Sequence, residues 1–314
     1  MSSLTSTATD LVGHSTIAPR AAASGGLLSQ YLALTKARLS ALVLVTTAVG
    51  FVLATPESAS INWSRLLWTM LGTALCAGCA SALNQLWEIS RDARMLRTRS
   101  RPLPSGAMSP MHAFVAAMVM GYLGVAMLGL GANLFAAGLA LLTIVLYALV
   151  YTPLKARSTT NTIVGAVCGA IPPMIGWVAA AGRLDIGAWI MAAILFVWQI
   201  PHFFALAWLY RADYQRGGFV MLPVLDRDGR ITTRVVILTS LMLVPLGMLA
   251  TLLDLAGLFS AAASLLLGLA MLILAMRLHL TRSNADARLL FLASIAYLPL
   301  LLAMMVIDRG PLGH

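Results

Sequence analysis

Residues 66–106 read LLWTMLGTALCAGCASALNQLWEISRDARMLRTRSRPLPSG. The first part, 66–87, has no charged side chain and no polar/apolar alternation. About 20 mostly apolar residues in a helix cross the hydrocarbon core of a bilayer, so 66–87 is predicted to span one. The continuity of the run argues against a strand of a membrane barrel, where lipid-facing and lumen-facing residues alternate. From Glu88 the sequence turns abruptly polar, with acids first and then a series of arginines through Arg101.

The same reading extends in both directions. Apolar runs of spanning length fall at 32–54, 66–87, 113–131, 134–152, 163–181, 186–209, 233–253, 257–276 and 289–307. Of the 314 residues, 60% are hydrophobic and 10% charged, with mean hydropathy +0.89. Soluble domains are about 25% charged, so a soluble globular enzyme is excluded, and the apolar content excludes disorder. The predicted fold class is all-α, a polytopic membrane protein of nine transmembrane helices. Residues 1–30 are assigned to a disordered tail, 31–308 to a single nine-helix domain and 309–314 to a short tail. The Ser-, Thr- and Ala-rich 1–26 has no apolar core, so it is not read as a secretory signal, and its single basic residue, Arg20, argues against a mitochondrial transit peptide.

The formal charge of +10 has a topological explanation, and no nucleic-acid partner is expected. With the N-terminus in the cytoplasm, only Arg65, Arg183 and Arg309 of the 21 Lys and Arg residues fall on the outer side. Basic residues concentrate in cytoplasmic loops, so the chain reads N-in and C-out. Cys76, Cys79 and Cys168 all lie inside apolar runs and are read as small hydrophobes without a disulfide. The two long polar loops, 88–112 and 210–232, follow the second and sixth spans, which suggests an internal four-helix repeat. Function is sought in those loops.

In the first loop, Asn84, Glu88 and Asp92 recur every four residues and share one helix face. Oxygen donors stacked in this way suit Mg²⁺, which takes one or two carboxylates and completes its shell with water and phosphate oxygens. Arg97 and Arg101 belong to the adjoining run of arginines, the side chain that binds phosphate in bidentate fashion. A positive-inside loop with compensating acids explains the arginines equally well, but not the spacing of the acids. In the second loop, Arg211 and Asp213 lie just beyond the sixth span, and Asp213 could serve a second metal site. Gly217 and Gly218 would permit a tight turn. His202 lies within the sixth span beside Pro201; intramembrane histidines are functional candidates, the alternative being an interhelical hydrogen bond. Lys155 and Arg157, in YTPLKARSTTNT (151–162), could contact phosphate or merely satisfy topology. His112, after Pro110, reads as an interfacial residue.

The sequence resembles the haem branch of the UbiA superfamily of intramembrane prenyltransferases, the protohaem IX farnesyltransferases or haem O synthases. The resemblance rests on YLALTKARLS (31–40), the 84–106 loop, YTPLKARSTTNT with GAIPPMIGW (169–177), and WQIPHFFALAWLYRADYQRGGFVMLPV (198–224). It implies a nine-helix bundle around a cavity that opens to the cytoplasm and the lipid. It also implies transfer of farnesyl from farnesyl diphosphate to the 2-vinyl group of haem B with addition of water, giving the hydroxyethylfarnesyl chain of haem O. Asn84, Glu88, Asp92 and Asp213 would then bind the diphosphate through Mg²⁺, helped by Arg97, Arg101, Lys155 and Arg211, while His202 would contact the haem or position the water. Glu88 departs from the superfamily pattern, which has Asp there, and Gly217 stands where a second acid would follow Asp213. A haem A synthase and a terminal oxidase are expected downstream. The Ala- and Arg-rich composition points to a bacterial inner membrane, with the active site on the cytoplasmic side.

Three rivals are distinguishable. A quinone-precursor prenyltransferase would share the metal site and differ in its acceptor pocket. A secondary transporter would place paired broken helices and its charges near mid-membrane. A non-catalytic assembly factor would not need Asn84, Glu88 and Asp92 together.

Overall fold

A computed structural model describes residues 26–309. Its elements, in chain order, are α1 (Leu27–Leu34), α2 (Ala37–Ala54), α3 (Trp63–Asp92), α4 (Pro110–Gly131), and α5 (Leu134–Val145), which runs through a π turn (Leu146–Tyr151) into α6 (Thr152–Leu154). Then follow α7 (Asn161–Ala181), α8 (Ile186–Leu209), α9 (Arg211–Gly217), α10 (Leu222–Leu225), α11 (Arg230–Leu252), α12 (Leu258–Thr281) and α13 (Asn284–Ile307). Among the described residues nine helices are long and apolar enough to cross a membrane, with α5 and α6 counted as one. They coincide with the nine apolar runs to within a few residues.

Two departures bear on function. The first run does not form one helix from residue 32. It breaks at Thr35 and Lys36, where Lys36 adopts a left-handed conformation (φ 50°). Helix α1 therefore ends short of the bundle, and Gln85 Nε2 donates to its terminal Ala33 and Leu34 carbonyls at 2.9 and 2.8 Å. Inside α1 these carbonyls have no partner, and at the break the Ala33 carbonyl takes only the Lys36 N–H at 3.3 Å, so a buried amide from α3 makes the break tolerable. No glycine or proline marks this break. Helix α1 also opens at Leu27, inside the stretch assigned to the tail; residues 1–25 and 310–314 lie outside the described residues. The second departure is at α3, which continues past the apolar run to Asp92 because its last turns are buried and paired there.

Helices α7 and α8 form the centre: 72% of each one's most apolar window is buried, against 22–44% for the other spans. One apolar core gathers α8, α11, α12 and α13, and a second gathers α3, α4, α5 and α7. Helix α2 packs against α7 through glycine. A Cβ on Gly176 would lie 1.8 Å from the Thr47 carbonyl oxygen, and one on Gly50 would lie 2.1 Å from that of Pro173. Cys76 and Cys79 fill the α3–α4 contact against Gly124 and Gly121, and all three cysteines are free and buried. The loops after α3, α6 and α8 meet on one face of the bundle, and the candidate site lies there.

Candidate active site

The last turns of α3 carry Asn84, Glu88 and Asp92, and all three side chains are buried. Each meets a cation from a different segment. Lys36 Nζ donates to Asn84 Oδ1 at 2.6 Å. Lys155, just after α6, forms an ion pair with Glu88. Arg101 Nη1 binds Asp92 Oδ2 at 2.7 Å. The acidic face of one helix is thus matched, rung by rung, by a basic face assembled from three loops.

Local bonds hold the rungs in place. Asn84 Nδ2 donates to Thr152 Oγ1 at 3.1 Å, which directs Oδ1 to Lys36, and Thr152 Oγ1 donates to the Tyr147 carbonyl at 2.7 Å. The π turn that precedes Thr152 brings Tyr147 and Tyr151 to the same place; π turns concentrate at functional sites. Lys155 lies over the Tyr151 ring at 4.8 Å, and Lys36 lies 6.0 Å from that of Tyr147. Thr98 Oγ1 donates to the Asp92 carbonyl at 2.9 Å and turns the chain so that Arg101 can return. Burial, reinforced by Arg101 and Lys155 and opposed by Glu88 and Asp92, pulls the Lys36 ammonium down to about 7. A left-handed lysine costs of order 1–3 kcal/mol, and such outliers persist where the surroundings over-determine them.

Asp92 Oδ1 is buried and has no hydrogen-bond partner. Among the described residues no three His, Cys, Asp or Glu side chains group closely enough to hold an ion alone. The donors of the ladder are all hard oxygens, one of them unsatisfied. That is the chemistry of a divalent cation whose remaining ligands come from a phosphate.

The second loop lies across the other two. Arg91 Nη1 donates to the Gly217 and Gly218 carbonyls at 3.1 and 2.7 Å, and Arg94 Nη2 donates to Gly217 at 3.2 Å. Val220 N–H donates to the Lys155 carbonyl at 2.7 Å, and Asn161 Nδ2 to the Val220 carbonyl at 2.8 Å. The predicted tight turn is at Gly218, whose φ is 69°.

The structure gathers only part of the predicted set at the ladder. Asn84, Glu88, Asp92, Arg101 and Lys155 come together there. Asp213 Oδ1 instead accepts the Leu96 N–H at 3.1 Å and pairs with Arg216, so it clamps the first loop. Burial raises its pKa, but the hydrogen bonds from Arg216, Leu96 and Arg97 outweigh this and hold the carboxyl below its usual range. Arg97 rests on the rings of Tyr210 and Tyr214, at 5.0 and 5.8 Å. Arg211 stacks on Trp208 at 3.8 Å, on the side of the core that gathers α8, α11, α12 and α13. His202 is stacked between Trp198 and Phe291 with Nδ1 2.8 Å from Ser294 Oγ, the interhelical hydrogen bond foreseen as its alternative. His112 Nε2 lies 2.7 Å from Tyr31 Oη. The residue missed by sequence reasoning is Lys36, counted only as a topological charge although it stands inside YLALTKARLS.

Comparison with known proteins agrees with this architecture. Residues 43–295 match the UbiA prenyltransferase family. The chain is 40% identical over 289 residues to a protein of Solibacter usitatus (strain Ellin6076) named protoheme IX farnesyltransferase, covering 90% of this chain and 99% of the relative. Among solved structures, a digeranylgeranylglyceryl phosphate synthase superposes with TM-score 0.75 at 15% identity, covering 90% of this chain and 98% of its own. A UbiA homologue from Archaeoglobus fulgidus, bound to DMAPP and Mg²⁺, superposes with TM-score 0.62 at 16% identity, covering 88% and 99%.

Proposed function

We propose, on the premise that this chain belongs to the UbiA prenyltransferase family, that it farnesylates haem B to give haem O. It is a multi-pass membrane prenyltransferase, and its relatives at about 40% identity are named for protoheme IX farnesyl transfer. In the proposed reaction the C1–O bond of farnesyl diphosphate breaks heterolytically and an allylic cation forms. The 2-vinyl group of haem B attacks C1. Water then adds to the resulting cation and loses a proton, so the products are haem O, diphosphate and a proton. The site faces the cytoplasm of a bacterial inner membrane, in keeping with the distribution of arginine.

The observation that carries this reading is the matched ladder of acids and bases at the end of α3. Without ligand the two rows neutralise each other. When a diphosphate and a divalent cation enter together, Lys36, Lys155 and Arg101 can turn from the acids to the phosphate oxygens, leaving Asn84, Glu88 and Asp92 for the cation. Mg²⁺, bound there, supplies positive charge against the leaving diphosphate. The bases stabilise the same developing charge from a preorganised, partly desolvated position, and such electrostatic stabilisation dominates the rate enhancement of many enzymes. The apolar bundle keeps water from quenching the allylic cation early. Asp213, Arg91 and Arg94 contribute by fixing the loops that carry Lys155 and Arg101.

Mass spectrometry of haems extracted from bacteria expressing the wild type or Asp92→Ala tests the reading. The expected result is a haem heavier by a farnesyl and a hydroxyl group with wild type alone, at equal protein level. Unchanged haem B beside abundant, folded wild type would sink it and direct attention to quinone-precursor acceptors.

A further inference from the structure

Arg211 is a charged side chain of the predicted site that the ladder leaves unexplained. Its guanidinium lies on the Trp208 ring at 3.8 Å. Trp208 is itself buried in the core that gathers α8, α11, α12 and α13, so one face of the guanidinium is desolvated by a fixed wall. Nε and Nη2 are both closed off from solvent and have no hydrogen-bond partner. Among the described residues Arg211 makes no ion pair. The acid nearest in influence, Asp226, is committed elsewhere: its Oδ2 accepts the Thr232 N–H at 2.7 Å and caps α11.

The identity of the two orphaned nitrogens matters. Nε–H and Nη2–H of an arginine point the same way and form one edge of its fork, the edge that takes two oxygens of a carboxylate or phosphate side by side. Leaving a buried donor unpaired costs about 1–3 kcal/mol, more for a charged group. Here both donors of a single edge are left unpaired, and stacking on Trp208 holds that edge in one plane. That edge has the geometry to take two oxygens of one oxyanion.

We propose that Arg211 binds a carboxylate of the acceptor, one of the porphyrin propionates, and so sets the acceptor's orientation. This rests on the reading of haem B as acceptor. The diphosphate is a poorer candidate, because Lys36, Lys155 and Arg101 already converge on the ladder while Arg211 lies on Trp208. Propionates and the 2-vinyl group lie on different edges of the macrocycle. A propionate held at the polar end of α8 therefore turns the reacting edge inward. Arg211 is a specificity-determining residue in this scheme.

The experiment uses the full-length protein in lipid nanodiscs. Binding is measured for haem B, for its dimethyl ester, and for a farnesyl thiolodiphosphate, with wild type, Arg211→Ala and Arg211→Lys. Charge-assisted bonds of this kind are worth about tenfold or more in affinity, so wild type prefers haem B over the ester by at least that factor. Both variants lose the preference, because lysine keeps the charge but not the fork, while affinity for the ester and the thiolodiphosphate stays unchanged. Should Arg211→Ala fail to fold, Arg211→Lys carries the test. A preference kept in the variants, or absent from wild type, overturns the proposal and leaves haem B as acceptor. Loss of thiolodiphosphate binding assigns Arg211 to the donor and overturns it as well. A wild type that binds neither porphyrin sinks the acceptor reading itself, and this proposal with it.

Discussion

Removing the charge of Lys155 or of Glu88 tests whether the ladder is a desolvated ion-pair array. Their side chains are 10% and 6% exposed, so neither charge is rescued by bulk water when its partner is lost. Breaking a buried pair from one side costs about 3–5 kcal/mol, because the remaining ion is stranded. Lys155→Met and Glu88→Gln are each expected to lose about that much. The double variant strands no charge, and it is expected to recover most of the loss, a coupling of about 2 kcal/mol or more. On the proposed reading catalysis behaves differently: all three variants are expected to lose haem O formation, because the pair would be disposable for folding but not for holding diphosphate. Unfolding in mixed micelles gives the stabilities, and haem extraction from the same cells gives turnover. Single variants as stable as wild type, with additive effects in the double, would refute the argument and show that the ladder is bathed in water.

Three further outcomes follow from particular contacts. Lys36→Gly relieves a left-handed backbone, whereas Lys36→Ala keeps the strain; the glycine variant should be the more stable by about 1 kcal/mol, yet both should bind farnesyl thiolodiphosphate more weakly than wild type. Gly176→Val drives a side chain into the Thr47 carbonyl of α2, and folded protein recovered from the membrane should fall sharply; wild-type yield would show that α2 and α7 separate freely. Asn161→Ala removes the bond to the Val220 carbonyl and loosens the second loop, so trypsin should cut after Arg216 faster in inside-out vesicles than in wild type, with turnover reduced.

How much of this was legible in the sequence depended on the range of the interactions. The nine spans were, because burial of apolar side chains in lipid is read from each segment alone: a run such as 66–87 is long enough and uncharged whatever its neighbours do. The acidic rungs were too, because four-residue spacing is a property of one helix; Asn84, Glu88 and Asp92 shared a face as soon as α3 was granted. The resemblance rested on the same local strings; the family match bears out its UbiA part, and the relatives named protoheme IX farnesyltransferase bear out the haem branch.

The partners of those rungs were decided by tertiary structure. Lys36, Lys155 and Arg101 are far apart along the chain and reach α3 only because α1 stops short against Gln85, α5 ends in a π turn, and Thr98 bends the first loop back. No periodicity marks such convergence, and a lysine beside a span reads as topology until its neighbours are known. For the same reason Arg97, Arg211, Asp213 and His202 carried plausible chemistry but no address. Folding set Arg97 on tyrosines, Asp213 under Leu96, His202 against Ser294, and Arg211 on Trp208 with one edge of its fork unpaired. Hydropathy acts on each helix separately, and hydrogen bonds between loops exist only once the helices have packed.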